Sequence, residues 1–407
     1  MNTRVILPAF AIIAIIIVFI AMLGASSGRG AQLEASIPKG NLTTEQSANH
    51  LSPVPPKLIH VALLFRHTVR APRLLPISDP LLRLESFPRG LVRSTRKGLQ
   101  AARNTSLIWK DWYKNFLTGN PNEVFARSSQ AERCYETLAM VLHSWYPSPD
   151  DIPLSQVAIR MPPRGTDKYV ENCGQMAYTA RLYNPQHPIP HEIAKEENFY
   201  TVGQYVDFLR NMTGEHNQSL SYFYMAYMEG FVSIDFEHRF TKDDHWILKY
   251  PKTREFSRLY ILEISIDVLG PYYGHHLLNG IADQLQSSSE GSSKFKLSLF
   301  SFHDISVLSC LRALGIRNKA AEPLSTMAFE LWKHETPGKT DQFRVALRMS
   351  EGLTTNWVYQ PDEYLKMKNA GGQVIDELGE VLHIMRTFYE HRLNITNCGY
   401  FGNDAKI

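Results

Sequence analysis

Three apolar runs in the 407-residue chain each end in residues able to handle an anion. Arg66 and His67 follow Lys57–Phe65 (KLIHVALLF), with Arg70 just beyond; Arg127 follows Val124–Ala126; His303 and Asp304 follow Lys294–Phe302 (KFKLSLFSF). Three arginines, two histidines and a carboxylate describe a phosphate site, because the planar guanidinium fork matches phosphate oxygens. His67 lies between Arg66 and Arg70 in R-H-T-V-R-A-P, where neighbouring guanidiniums disfavour imidazolium and keep the ring neutral. A neutral imidazole nitrogen can attack phosphorus and carry the phosphoryl group, dividing hydrolysis into two displacements. Asp304 is the general acid for the leaving alkoxide. The start of a helix lowers its pKa and a bound phosphate dianion raises it, and an acidic working pH favours the protonated form. Arg66, Arg70, Arg127 and His303 are the phosphate ligands, arranged to stabilise charge on the equatorial oxygens. Each residue also has a plainer reading: structural histidine, solvated arginine, or aspartate as a helix N-cap. Delivery of all of them by apolar strands to one edge argues against those readings.

The elements that must do the positioning follow from periodicity. Lys57–Phe65 is nearly continuous in apolar residues, as in a strand buried on both faces. Helical stripes follow the strand ends: Leu99, Ala102, Trp109, Trp112 and Phe116; then Cys134, Leu138, Val141 and Trp145; then Val307, Leu308, Leu311 and Leu314. Strand–loop–helix units of this kind predict an α/β fold with a largely parallel sheet and helices on both faces. Ligands in such folds bind beyond the carboxyl ends of the strands. Thr326–His334 and Gln342–Arg348 flank Thr336-Pro337-Gly338-Lys339 and predict a hairpin, and Val374–Arg392 predicts a closing helix. Between Pro147 and Lys249 the chain is rich in Tyr, His, Asn and Pro. Helical stretches at Tyr200–Asn211 and Ser219–Phe231 suggest a mainly helical insertion capping the sheet.

Composition excludes other classes. Hydrophobic residues make up 44% and charged residues 20%, which is globular, and the net charge of +3 gives no nucleic-acid footprint. The four cysteines show no C-x-x-C or zinc spacing, so no metal or cofactor is expected. Val5–Gly24 is uncharged and long enough to cross a bilayer, with Arg4 before it. It reads as an uncleaved signal-anchor or as a cleaved signal peptide over residues 1–24, and both place the rest of the chain in the secretory pathway. A polar, Pro-rich stem (25–56) follows. Five N-x-[ST] sequons, at Asn41, Asn104, Asn211, Asn217 and Asn394, agree with translocation. In that oxidising setting Cys173 and Cys398, both in loop-like contexts, are expected to pair. Cys134 and Cys310, on apolar helix faces, are expected to stay as buried thiols.

The motif set resembles the histidine acid phosphatases, the branch of the histidine phosphatase superfamily that includes prostatic and lysosomal acid phosphatases. The family's R-H-G-x-R-x-P appears as Arg66-His67-Thr68-Val69-Arg70-Ala71-Pro72, its R-S-T-x-x-x-R as Arg127-Ser128-Ser129-Gln130-Ala131-Glu132-Arg133, and its late H-D as His303-Asp304. Weaker matches are Phe87-Pro88-Arg89-Gly90 to W-P-x-G, and Asn172-Cys173 to N-C-P. The resemblance spans about Lys57 to Cys398. It implies a three-layer sandwich of the phosphoglycerate mutase kind, with an α/β core at 57–146 and 250–398, a helical cap at about 147–249, and a tail at 399–407. It also implies a metal-independent phosphomonoesterase acting in acid on small-molecule or protein phosphomonoesters. His67 would be nucleophile and Asp304 proton donor, with a disulfide from the Cys173 region to the C-terminal segment and a dimer in some relatives. Two departures stand out: Thr68 replaces the usual glycine, and Arg93-Ser94-Thr95 replaces Q-L-T. Thr68 raises a second reading, a receptor-like ectodomain that binds phosphate ligands with weakened turnover. A third is a phytase or phosphotyrosine-directed relative, with Tyr178, Tyr183 and Phe199 as candidate wall residues.

Overall fold

Lys57–Arg66 forms strand β1 at the middle of a seven-stranded sheet. The structure is a computed structural model. It describes residues 55–77, 84–149, 155–163, 184–186, 188–189, 198–223, 226–227, 236, 270–271, 273–317 and 319–390. All of these belong to the unit Ser52–Ile407. The N-terminal apolar run, Asn41, Asn394, Cys173, Cys398, Tyr178, Tyr183 and most of the expected cap lie outside the described residues. No helix among the described residues is long and apolar enough to cross a membrane.

The strands are β2 (Val124–Ser128), β3 (Ile159–Arg160), β4 (Leu297–Phe302), β5 (Thr326–His334), β6 (Gln342–Ser350) and β7 (Glu363–Leu365). β3, β2, β4 and β1 run parallel to one another, and β5, β6 and β7 continue antiparallel from β1. The β5–β6 hairpin forms as its sequence predicts. Lys339 N–H donates to Thr336 O at 3.0 Å, Pro337 holds the first corner, and Gly338 takes a φ of +77° at the second.

Strand β1 is apolar from Val61 to Phe65 because both of its faces are covered. Ala62 and Leu64 join one core with Leu277, Ile281, Phe302 and Leu311, while Val61, Leu63 and Phe65 join another with Trp109, Leu138 and Val141. Helices α1 (Arg96–Trp112) and α2 (Glu132–Trp145) cover the second face. The helical residues 273–289 (α4) and helix α5 (Asp304–Ala313) cover the first. The expected stripe Cys134, Leu138, Val141 and Trp145 is buried, and so are Val307, Leu308, Leu311 and Leu314. In the middle of the chain α3 (Val202–Thr213) starts on a capping box at Thr201 and Gln204, two residues inside the expected start.

The expected closing helix is shorter than Val374–Arg392. α6 spans Leu378–Thr387, and Val374–Ile375 is a strand (β9) paired with β8, Met367–Lys368. The β-branched pair follows a tight turn in which Gly372 has a φ of +78° and the Asn369 side chain accepts from the Gly371 and Gln373 amides. Turn chemistry outweighs the apolar period there. Residues beyond 390 lie outside the described part.

Candidate active site

The order β2-β4-β1 sets three carboxyl ends side by side. Ser128 is level with Ser301, and Arg66 with Phe302. His67 N–H extends the ladder to Phe302 O at 2.9 Å, and Arg66 N–H donates to Ser325 O at 2.9 Å. The next turn is tied to the start of α1, where Thr95 N–H reaches Val69 O at 3.0 Å and Ala71 N–H reaches Arg93 O at 2.8 Å. That fixes where Arg70 emerges. His303 is the N-cap residue of α5 and Asp304 opens its first turn.

All six residues singled out in the sequence therefore meet at one edge, and five of them (Arg66, His67, Arg70, Arg127 and His303) are at most 9% exposed. The His67 and His303 rings lie 5.6 Å apart, edge to face. His67 Nδ1–H donates to Thr68 O at 2.7 Å, which leaves Nε2 with its lone pair on the site side. Asp304 Oδ2 pairs with Arg66 Nη2 at 3.0 Å, and Asp304 Oδ1 accepts from Ile305 N–H at 2.8 Å. Arg66 is steadied by Ala321 O at 2.6 Å, Arg70 by Ala71 O at 2.9 Å, and Arg127 by Ser128 O. Ser129 Oγ lies 3.2 Å from His303 Nε2.

Sequence reading missed one member. Arg133, in the first turn of α2, donates from Nε to His67 Nε2 at 3.1 Å, and its Nη2 lies 3.4 Å from His303 Nδ1. Cys134 is a buried thiol packed 3.8 Å from both His303 nitrogens, with its Sγ 3.3 Å from Phe302 O; Cys310 is also a buried thiol. Phe199 is buried against Tyr205 and Phe208 at 5.0 and 5.8 Å, so it packs α3. Phe87 of the weak F-P-R-G match is likewise buried, and Arg89 in that block pairs with Glu136 at 2.7 Å.

Thr68 sits without backbone strain, since its φ is not positive. It is fully buried, its amide donates to Thr137 Oγ1 at 3.0 Å, and its hydroxyl donates to Gly98 O at 2.6 Å. The fit requires Gly98: a Cβ there would stand 2.4 Å from Val69 O and 3.2 Å from Thr68 Oγ1. The Thr68 hydroxyl is thus engaged with α1.

Both site histidines are held neutral. Burial, then Arg133, Arg66, His303 and Arg70, drive His67 well below the ordinary imidazole range. Burial and Arg133 do the same to His303, with Asp304 opposing. Burial alone would raise Asp304, but Arg66, the Ile305 amide, His303 and Arg70 outweigh it and hold the carboxyl below its usual value. His60, fully buried on β1, is pushed down to about 4 by burial, against its bond to Phe295 O.

These groups make the unliganded protein acid-sensitive. The unfolded chain takes up protons on these histidines near pH 6.5, whereas the fold accepts them only at lower pH. Their stabilisation is therefore complete above that pH and is lost as pH falls toward the folded values. For His60 alone the loss at pH 5 is about 2 kcal/mol. Urea midpoints should fall between pH 7 and pH 5, and less steeply in a His60→Gln variant. Equal midpoints at the two pH values would contradict the buried neutral histidines.

Comparison with known proteins agrees with this fold. No protein-family model matches the chain. Bovine (Bos taurus) prostatic acid phosphatase is 24% identical over 291 residues, covering 66% of this chain and 72% of that protein. The human (Homo sapiens) prostatic enzyme is 23% identical over the same length. Among solved structures, Hafnia alvei phytase in complex with myo-inositol hexakis sulphate aligns with a TM-score of 0.59 at 14% identity, covering 85% of this chain and 99% of that one. Klebsiella sp ASR1 phytase aligns at 0.56 and 12% identity, covering 82% and 96%. The fold is thus the α/β sandwich of those phosphatases, with a mixed central sheet. With its three motif blocks in order, the chain is similar to the prostatic acid phosphatases in sequence and to the phytases in fold.

Proposed function

We propose that the chain is a histidine acid phosphatase, which hydrolyses phosphate monoesters in acid through a phosphohistidine on His67. The observation that carries the reading is the meeting of an Nδ1-protonated, neutral His67 with Arg66, Arg70, Arg127, His303 and Asp304 at one sheet edge. The arginines and His303 hold the phosphoryl oxygens. The His67 Nε2 lone pair forms the N–P bond as the ester P–O bond breaks, and Asp304 gives its proton to the departing alkoxide. Water then attacks phosphorus, Asp304 takes up its proton, and the N–P bond breaks to release phosphate.

Asp304 is a carboxylate while paired with Arg66 alone. A bound dianion draws on the same guanidinium and repels the carboxylate, and both effects raise the pKa of the acid. Acidic medium supplies the proton, so turnover should rise as pH falls from neutrality. The unstrained setting of Thr68 supports activity over the receptor-like reading. A secretory route is part of the proposal: the sequons at Asn104, Asn211 and Asn217 are exposed and open to glycosylation.

p-Nitrophenyl phosphate should be hydrolysed near pH 5 at a rate unchanged by a chelator. Binding of phosphate or vanadate without turnover would favour the receptor-like reading, and dependence on added metal would refute the mechanism.

A further inference from the structure

On the reading of His67 as nucleophile, one contact is out of place for attack. The His67 Nε2 lone pair that must reach phosphorus is already taken by Arg133 Nε–H at 3.1 Å. The same guanidinium extends to His303 Nδ1 at 3.4 Å, so it spans the two rings. Arg133 comes from α2, whereas the rings come from the ends of β1 and β4, so no local backbone geometry forces the contact.

We propose that Arg133 is a positioning residue that acts through both histidines: in the resting site it occupies the lone pairs of His67 and His303, and an entering phosphoryl group displaces it from His67. While in place, it fixes each ring by the nitrogen it faces. His67 keeps its proton on Nδ1, toward Thr68 O, and His303 keeps its own on Nε2, toward Ser129 Oγ. It also makes protonation of either ring costly, because an imidazolium would face a guanidinium with no lone pair between them. An enzyme that needs a protonated Asp304 and a deprotonated His67 at the same pH depends on such a group.

Other charges face the pair. Arg66 and Arg70 flank His67 on its own segment, and Asp304 adjoins His303 and opposes the arginines. Tyr273, at the start of α4, interacts with Arg133, Arg73 and Asp304. Among the described residues, only Arg133 holds both rings by their nitrogens.

The test compares R133M and R133K with wild type. The readouts are the acid limb of kcat/KM for p-nitrophenyl phosphate and the titration of His67 and His303 by NMR of histidine-labelled, ligand-free protein. In R133M the limb and both titrations should move up by about one pH unit, the scale for a charge within contact range. In R133K, whose ammonium reaches one ring only, the shift should be smaller but present. A merely structural role would lower the rate at every pH and leave the limb in place. Limb and titrations at the wild-type positions in every variant that folds would overturn the proposal. Should the wild type prove inactive, the NMR titration still decides the question, so failure here and failure of the nucleophile assignment remain distinct.

Discussion

Replacing His67 with alanine is expected to lower turnover by at least about 10⁴-fold, the scale on which enzymes lose activity when the attacking group is removed. The fold should survive, because the backbone anchors of this segment, His67 N–H to Phe302 O and Thr68 N–H to Thr137, do not involve the imidazole. The decisive readout is covalent. Radiolabelled phosphate from a substrate should remain on wild-type protein quenched in alkali, where a phosphohistidine persists, and should be absent from the alanine variant. Label that persists without His67 would refute the assigned nucleophile. The variant should still bind phosphate, since Arg66, Arg70 and Arg127 reach the site from their own backbone anchors.

Asp304→Asn separates acid catalysis from binding. An amide is close in size to the carboxyl but has no proton to give. With an alkyl phosphate, whose alkoxide leaves badly, kcat/KM should fall by about 10²- to 10⁴-fold. With p-nitrophenyl phosphate, whose phenolate leaves without help, the first step should slow far less. Binding of phosphate should tighten or stay equal, because Arg66 loses its competing carboxylate partner at 3.0 Å. Equal losses of kcat/KM, which reports the first step alone, with both esters would mean that Asp304 serves only to hold the start of α5 through the Ile305 amide. Steady-state rates over a series of leaving groups, plotted against leaving-group pKa, make the distinction directly.

The parts of this site legible in the sequence were those that end strands. β1 and β4 announce themselves because a strand covered on both faces must be apolar throughout, and the first polar residues after such a run must lie at an edge. Arg66, His67, His303 and Asp304 were found that way. Arg133 was missed for the converse reason. It lies six residues beyond Arg127 in the same block, on a helix, where an arginine is ordinarily a solvated charge. Only the tertiary approach of α2 to both rings turns it inward. The Val374–Ile375 strand was missed because an apolar pair beside a helix carries no period of its own, and the signal lay in the turn at Asn369–Gly372. Thr68 looked like a defect because glycine suggests special backbone torsions. The consequence of the change depends on Gly98, thirty residues away, whose missing side chain makes the room.

The neighbours of β1 carry a consequence for how the protein comes into being. The strand that bears His67 is flanked on one side by Leu297–Phe302 and on the other by Thr326–His334. Both neighbours are made more than two hundred residues later in synthesis. Until they emerge from the ribosome, β1 lacks both of its hydrogen-bonding neighbours, although α1 and α2 are made soon after it, and long-range pairings of this kind form slowly. The nascent chain must therefore hold His67, the proposed nucleophile, in an incompletely paired segment for most of translation. Chains cut short before Phe302 should be chaperone clients with no capacity for turnover.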